Sequence, residues 1–562
     1  MAGVQANDGE GSRDPSVPII TSHHAVATRF STSSSSSSRL EVDTIALLPA
    51  EQDDHSDISY HSDISYHSDS DISDIICDIE PGDICSAANI RTEAVWLLRS
   101  SFPIVLSTMS QLFLMLPILA AVGKLGTVAL ASMNLVSIYA GLGGIAPLSG
   151  MAMVLDSLCS QAFTAAKDRR LLGVYLQRVL VCIALILVVI YPLWWNSALI
   201  YEYLGVPADV ASVTGRLLRL YFFGIAAILI YECLKSYLFA QGVRRFAVVA
   251  QLVCLPVGWF CTWLLISNEA TSMGILGVPC VIIIVGIGFN IVALWYMRRI
   301  ESCRQCWGGW SRAAFSDLRP VLKLGLAGSA ITFFESVSLH MIDVGSLFLS
   351  AEYMAAQAIL SVLMTSTWVI GTGFAIAACN RVGNLLGSRQ PNRTHLAVNT
   401  ALMLAVGVFL VLGTAVFCCR SVLPRVFTQD PIVAEILRTH IAWSAGAGAI
   451  QGVNMTFNGI LRGQGRQALV AHIRIASFVG VGIPLAVVVV AVLKWKLAGL
   501  WLAYVASLIA TLCAQFYFVA ATNWEREIER CQTRISKAML ATTLESEDVA
   551  DRTSTLLPLS AP

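Results

Sequence analysis

The chain changes character near residue 99. Before that point it is polar and repetitive. After it, apolar runs of roughly twenty residues recur, each followed by a short polar connection. A helix needs ~20 apolar residues to cross the ~30 Å of a bilayer's hydrocarbon. Twelve runs have this length: 99–122, 135–159, 174–196, 217–239, 246–267, 275–297, 320–349, 356–379, 397–419, 438–460, 471–493 and 498–521. The pattern predicts an all-α polytopic membrane protein of about twelve transmembrane helices. The expected organisation is a disordered cytosolic tail (1–92), a first six-helix bundle (93–298), a basic cytosolic linker (299–319), a second six-helix bundle (320–524) and a cytosolic tail (525–562). Glu525, Arg526, Glu527, Glu529 and Arg530 in the last segment read as a short charged helix.

Residues 1–92 lack the apolar content to bury a core. Ser33–Ser38 is a serine run, and His55–Tyr60 (HSDISY) repeats at once as His61–Tyr66. Such low-complexity sequence is expected to be a solvated spacer, with Ser-Asp pairs suited to acid-directed kinases. Asp43, Leu47 and Leu48 sit in a pattern that resembles an acidic dileucine sorting signal, which would engage a sorting adaptor on the way to a vacuole-like membrane. The first forty residues hold no apolar signal core, so the first helix is expected to insert by itself.

Charge placement predicts orientation. The connections after runs two, four, six, eight and ten carry Lys167, Arg169 and Arg170; Arg244 and Arg245; Arg298, Arg299, Arg304, Arg312 and Arg319; Arg381, Arg389 and Arg393; and Arg462 and Arg466. Segments 197–215, 268–274 and 350–355 hold no Lys or Arg. Arg420 and Arg425, after run nine, are the exception. Both termini are therefore expected in the cytosol.

Composition agrees: 56% of the 562 residues are hydrophobic and 13% charged, against about a quarter charged in a soluble protein. Net charge is zero, which excludes a basic nucleic-acid binder. Fifteen cysteines lie mostly inside apolar runs and read as small hydrophobes. Cys303-x-x-Cys306 has no second pair to complete a zinc site, leaving lipid attachment or no role. No cofactor or metal site is expected.

The two halves repeat. Gln241-Gly242 ends run four and Gln464-Gly465 ends run ten, an offset of 223; Gln161 falls on Asn384 at the same offset. Six helices per half is an even number, so the halves cross the membrane in the same sense. A pseudo-twofold axis along the membrane normal should relate them, with a site between.

Several segments resemble the multidrug and toxic compound extrusion (MATE) family. They are Val122–Gly126, Leu155–Phe163 (LDSLCSQAF, with Asp156 and Gln161), Leu176–Arg178, Tyr231–Lys235 with Ala240-Gln241-Gly242, Arg381–Asn384, Gly459–Gln467 (with Arg462 and Gln464) and Gly482–Pro484. The resemblance spans roughly residues 95–525, in order and at family spacing, and is closest to fungal members. Physically, Asp156, Gln161, Glu232, Lys235, Gln241, Arg381, Asn384, Arg462 and Gln464 read as scaffold: helix-end packing and membrane anchors.

Polar groups inside helices are the functional candidates, because an ionised carboxylate at mid-membrane costs at least ~2.5–3.5 kcal/mol. Glu232 and Lys235 are spaced to pair on one helical face. Glu335 has no Lys or Arg between Lys323 and Arg381 in sequence. An apolar setting favours a neutral carboxyl, so such a group can take up and release a proton near neutral pH. His340 and Asp343 are spaced to touch. The resemblance implies a proton-coupling pair in helix seven; Glu335 matches its first acid, and His340 stands where the second acid belongs. It implies a further acid in helix ten, where this chain has Gln451. Proton coupling is thus expected at Glu335, His340 and Asp343. Gln111, Gln451, Asn454 and Asn458 are candidates for the substrate cavity or for interhelical bonding. Tyr221, Trp259, Trp263 and Trp368 are candidate lining aromatics.

The expected activity is secondary active export of small organic compounds, often cationic or amphipathic, by antiport and alternating access. The resemblance leans toward H+ as coupling ion, with Na+ the alternative; the expected membrane is vacuolar or plasma. A lipid-linked glycan flippase of the same superfamily is the nearer rival but needs cavity cations, which these helices scarcely hold. A membrane-embedded enzyme would need a cluster such as HExxH or paired aspartates, and none occurs. The repeat disfavours a scaffold or receptor.

Overall fold

A computed structural model describes residues 86–346 and 348–556. The serine run, the HSDISY repeats and the sorting pattern at Asp43, Leu47 and Leu48 lie outside the described residues. Twelve long helices follow one another: α1 Ala87–Gly123, α2 Thr127–Ala165, α3 Leu171–Trp195, α4 Ala208–Ala240, α5 Arg245–Ser267, α6 Gly274–Arg299, α7 Leu318–Ser346, α8 Ala351–Gly387, α9 Pro391–Ser421, α10 Pro431–Gly463, α11 Gln467–Val490 and α12 Lys496–Ala520. A final helix, α13, runs Trp524–Leu556.

Of α1 to α12, all but α10 are long and apolar enough to cross a membrane. The exception carries Glu435, Arg438, His440, Gln451, Asn454, Asn458 and Arg462. Its C-terminal half is buried by protein, where α8, α9 and α12 pack against it. Its start is fixed by Pro431 in the first turn and by Asp430, whose carboxylate caps the Ile432 and Val433 amides at 2.8 and 3.4 Å.

The pairings inside the two halves match. In the first bundle α1 packs on α5, α2 on α4, α4 on α6 and α5 on α6. In the second, α7 packs on α11, α8 on α10, α10 on α12 and α11 on α12. Between bundles α1 meets α8 as α7 meets α2. This reciprocity is the signature of a pseudo-twofold axis. The repeat extends to helix ends. Gly242 (φ 81°) and Gly465 (φ 76°) both take the left-handed conformation that ends a helix. The residue after each donates its amide five residues back, Val243 to Leu238 and Arg466 to Leu461, at 3.1 and 3.0 Å.

Three sequence readings need correction. The first helix starts at Ala87, not near residue 99, because its first turns are buried by other helices instead of lipid: Glu93 and Trp96 are both inside the protein. The final segment is a 33-residue amphipathic helix that buries Ile528, Cys531 and Ile535. Cys303 and Cys306 are fully buried, which is incompatible with lipid attachment in this conformation. Burial pushes their thiols up to about 12 and about 11.

Candidate ion and substrate site

The basic connections and α13 share one face of the molecule, here called the terminal face. The inter-bundle hydrogen bonds lie between that face and the helix midpoints. On α1, Glu93 accepts from Arg381 of α8 (Nε 2.9 Å, Nη2 2.5 Å) and from Arg393 of α9 (3.0 Å). On α2, Asp156 accepts from Arg462 Nη2 of α10 at 2.5 Å. Gln161 Nε2 donates to the Gly463 carbonyl at 2.7 Å, and Thr164 donates to the Asn384 carbonyl at 2.8 Å. Trp96 lies between two guanidinium groups, Arg244 at 4.6 Å and Arg381 at 4.5 Å from its ring. Nearer the midpoints, Ser329 donates to the Pro147 carbonyl at 2.5 Å and Thr332 to that of Ala146.

Glycines set how closely the bundles approach. A Cβ on Gly150 would stand 2.3 Å from the Gly328 carbonyl oxygen, and one on Gly328 would stand 2.2 Å from that of Gly150. Most of the family-like residues read as scaffold thus form the seam between bundles. Sequence pattern marks neither Glu93 nor the glycine pair, and marks Arg393 only as a connection cation. Gln241 and Gln464 are buried at the matching helix ends; Gln241 donates to the Tyr237 carbonyl at 3.0 Å.

Glu335 sits one helical turn beyond Thr332, where the seam ends. Its Oε1 accepts from Trp368 Nε1 of α8 at 3.0 Å and from Gln451 Nε2 of α10 at 2.7 Å. Its Oε2 lies 3.9 Å from Arg474 Nη2 of α11, a side chain only 3% exposed. Four helices therefore converge on one carboxylate. The sequence reading found Glu335, Gln451 and Trp368 separately; it missed Arg474, which is distant in the chain.

His340 and Asp343 form a second group further from the terminal face. His340 Nδ1 lies 3.1 Å from Asp343 Oδ2. Asp343 Oδ1 accepts from Gln357 (2.9 Å) and Ser361 (2.6 Å) of α8. Gln357 in turn accepts from Trp501 of α12 at 3.1 Å. The eight residues from Glu335 to Asp343 span ~12 Å along the helix. The three coupling candidates therefore form two sites, not one.

Other predicted residues fall elsewhere. Glu232 pairs with Lys235 at 2.6 Å, as their spacing required, and also accepts from Gln111 of α1 at 3.4 Å. Asn454 donates to the Leu508 carbonyl at 3.0 Å, and Asn458 accepts from Gln515. Both are buried against α12, so of their two readings the interhelical one fits. Tyr221 is buried, whereas Trp259 and Trp263 are exposed on α5, Trp259 donating to the Phe113 carbonyl at 3.2 Å. Trp368 alone of the four aromatics touches a candidate site. Among the described residues, no group of three or more His, Cys, Asp or Glu is arranged to hold a metal.

A family model described as MatE matches twice, over residues 103–264 and 329–488, one match per bundle. An uncharacterized transporter of Schizosaccharomyces pombe is 28% identical over 449 residues, covering 80% of this chain and 84% of that protein. The protein DETOXIFICATION 17 of Arabidopsis thaliana is 26% identical, covering 79% of this chain and 92% of its own. Among solved structures, a eukaryotic MATE transporter superposes with a TM-score of 0.74 at 22% identity, over 80% of this chain and 100% of that one. A Vibrio cholerae MATE transporter gives 0.70 at 18%, over 78% and 99%. The structural likenesses bear on the fold.

Proposed function

The chain belongs to the MatE family, and from that premise we propose that it exports small organic compounds in exchange for protons, with Glu335 as the proton-carrying group. It is an integral multi-pass membrane protein of twelve helices. The transporter names borne by its relatives support export as the activity. Lys and Arg accumulate at the terminal face, which supports a cytosolic location for that face and for both termini. The seam bonds the two bundles together on that side. The membrane is vacuolar or plasma.

The observation that carries the proton assignment is the setting of Glu335. It lies one turn past Thr332, which makes the last inter-bundle hydrogen bond of α7 among the described residues, and its donors come from α8 and α10 of its own bundle. Protonation adds an O–H donor to a group that otherwise only accepts, which changes the partners that suit it. Proton binding and cargo binding then favour different arrangements of the same helices, which is the requirement for antiport. The indole of Trp368 beside the acid suits flat, cationic or amphipathic cargo.

Dye efflux from proteoliposomes tests the reading. A pH gradient should drive efflux of a cationic dye by the wild type and not by Glu335→Gln. Response to a sodium gradient alone would replace the ion and keep the fold. Transport by Glu335→Gln at the wild-type rate under the pH gradient would remove Glu335 from its role.

A further inference from the structure

Arg474 has no part in the sequence-level picture, yet it is the cation that faces Glu335. An arginine inside a membrane bundle is costly unless paired. Its Nε and Nη2 nevertheless meet no hydrogen-bond partner among the described residues, and neither does Gln451 Oε1. Glu335 Oε1 is served by two neutral donors, while Oε2 stands 3.9 Å from the guanidinium. Closing that gap to about 2.8 Å would make a charge-assisted hydrogen bond. The residues are thus poised between a made and an unmade ion pair.

Other charged or titratable groups are placed differently. On α7 itself, His340 and Asp343 form their own group, and Arg319 and Lys323 lie at the terminal end. From α12, Tyr504 is buried nearby and uncharged in its ordinary state. From α3, Arg178 is bonded to the Ala313 carbonyl near the terminal face. From α2, the groups meeting this part of α7 are the Ala146 and Pro147 carbonyls. The α8 and α10 contributions are the neutral Trp368 and Gln451.

The backbone just beyond Arg474 departs from regular α-helix. Four residues later α11 leaves the α-helical hydrogen-bond pattern for a π-helical segment, Phe478–Gly482. Phe478 packs edge-on against Phe334, the neighbour of Glu335, at 6.5 Å.

We infer, resting on the role proposed for Glu335, that Arg474 is its internal counter-cation: a fixed positive charge that an arriving proton must displace. With Glu335 ionised, the pair is neutral. Protonation leaves a bare guanidinium inside the second bundle, which turns to another acceptor such as Gln451 Oε1 or shifts α11 about its π-helical segment. Proton uptake is thereby converted into helix movement by one buried charge. Gln451, where the resemblance implies an acid, leaves Glu335 as the one carboxylate facing Arg474 among the described residues.

The test uses the full chain in proteoliposomes. The infrared carboxyl band that disappears in Glu335→Gln reports protonation of Glu335, independently of transport. Arg474→Gln should move its titration to a proton concentration lower by between about 10- and 1,000-fold, the range for loss of a close opposite charge. Arg474→Lys, which keeps the charge, should stay within about tenfold of wild type. An Arg474→Gln titration that coincides with wild type overturns the pairing. If Arg474→Gln does not fold, the double variant Arg474→Gln/Glu335→Gln should restore folding by removing both charges, and failure to restore it also overturns the pairing. A band that titrates normally while the pH gradient drives no dye would sink the antiport reading and leave the pairing to be decided by the variants.

Discussion

Gly328→Ala should push the protein out of the conformation described above. The new Cβ would lie 2.2 Å from the Gly150 carbonyl oxygen and 3.0 Å from its carbon. Ordinary carbon contacts are near 3.5–4.0 Å, so α2 and α7 must part by about 1 Å. Backbone, not a flexible side chain, is what the methyl meets, so no rotamer change relieves it. Overpacking of this kind costs about 1–3 kcal/mol. The cost falls on the state in which α2 and α7 touch and not on one in which they have separated there. The equilibrium between states should therefore shift by between about 5- and 150-fold. The assay places a single cysteine at Ser157, buried in the seam, in a cysteine-free background, and measures labelling by a maleimide in proteoliposomes. Gly328→Ala should speed labelling by that factor. Gly150→Ala, whose Cβ would meet the Gly328 carbonyl at 2.3 Å, should do the same, and the two together should not add. Gly407→Ala, with open space around it, is the control. Labelling at the wild-type rate in Gly328→Ala protein of unchanged melting temperature would refute the reasoning.

Glu93→Gln leaves Arg381 and Arg393 facing a neutral group; breaking a buried pair costs about 3–5 kcal/mol, so a lowered melting temperature and faster labelling at Ser157→Cys are expected. Asn458→Ala leaves Gln515 without its partner, at about 1–3 kcal/mol; thermal melting should fall while the KM for dye stays unchanged. Burial pushes the Cys531 thiol up to about 11, so at pH 8 its thiolate is scarce and maleimide should react with it far more slowly than with the exposed Cys418 and Cys419. Labelling of Cys531 should quicken as pH rises, and slow at fixed pH in Arg534→Gln, which removes the cation that favours the thiolate. Mass spectrometry of the labelled peptides reads both effects.

The helix count and the repeat were legible because bilayer thickness sets one length scale and the two halves share their helix ends. The Glu232–Lys235 and His340–Asp343 pairs were legible because residues three apart on a helix are neighbours. What could not be read was the company each buried charge keeps across the fold. Glu93 stood at the edge of the first bundle, ahead of the apolar run, with nothing in the chain to mark its partners, since the first turns of α1 lack the apolar character that lipid contact would demand. Arg474 drew no reading at all, and Glu335 looked alone, because the two meet only when α7 and α11 pack. Asn454 and Asn458 had two readings that sequence weighs equally; only the position of α12 separates them.

The charges along the seam are divided unequally. Glu93 and Asp156 come from the first bundle, and the cations that bind them, Arg381, Arg393 and Arg462, come from the second. Two copies of the first bundle placed face to face would bring carboxylates together, and two copies of the second would bring guanidinium groups together. Halves that arose as duplicates have in this way become unlike partners. Each recognises the other and refuses itself, so the correct pairing within one chain is favoured over exchange between neighbours in the same membrane.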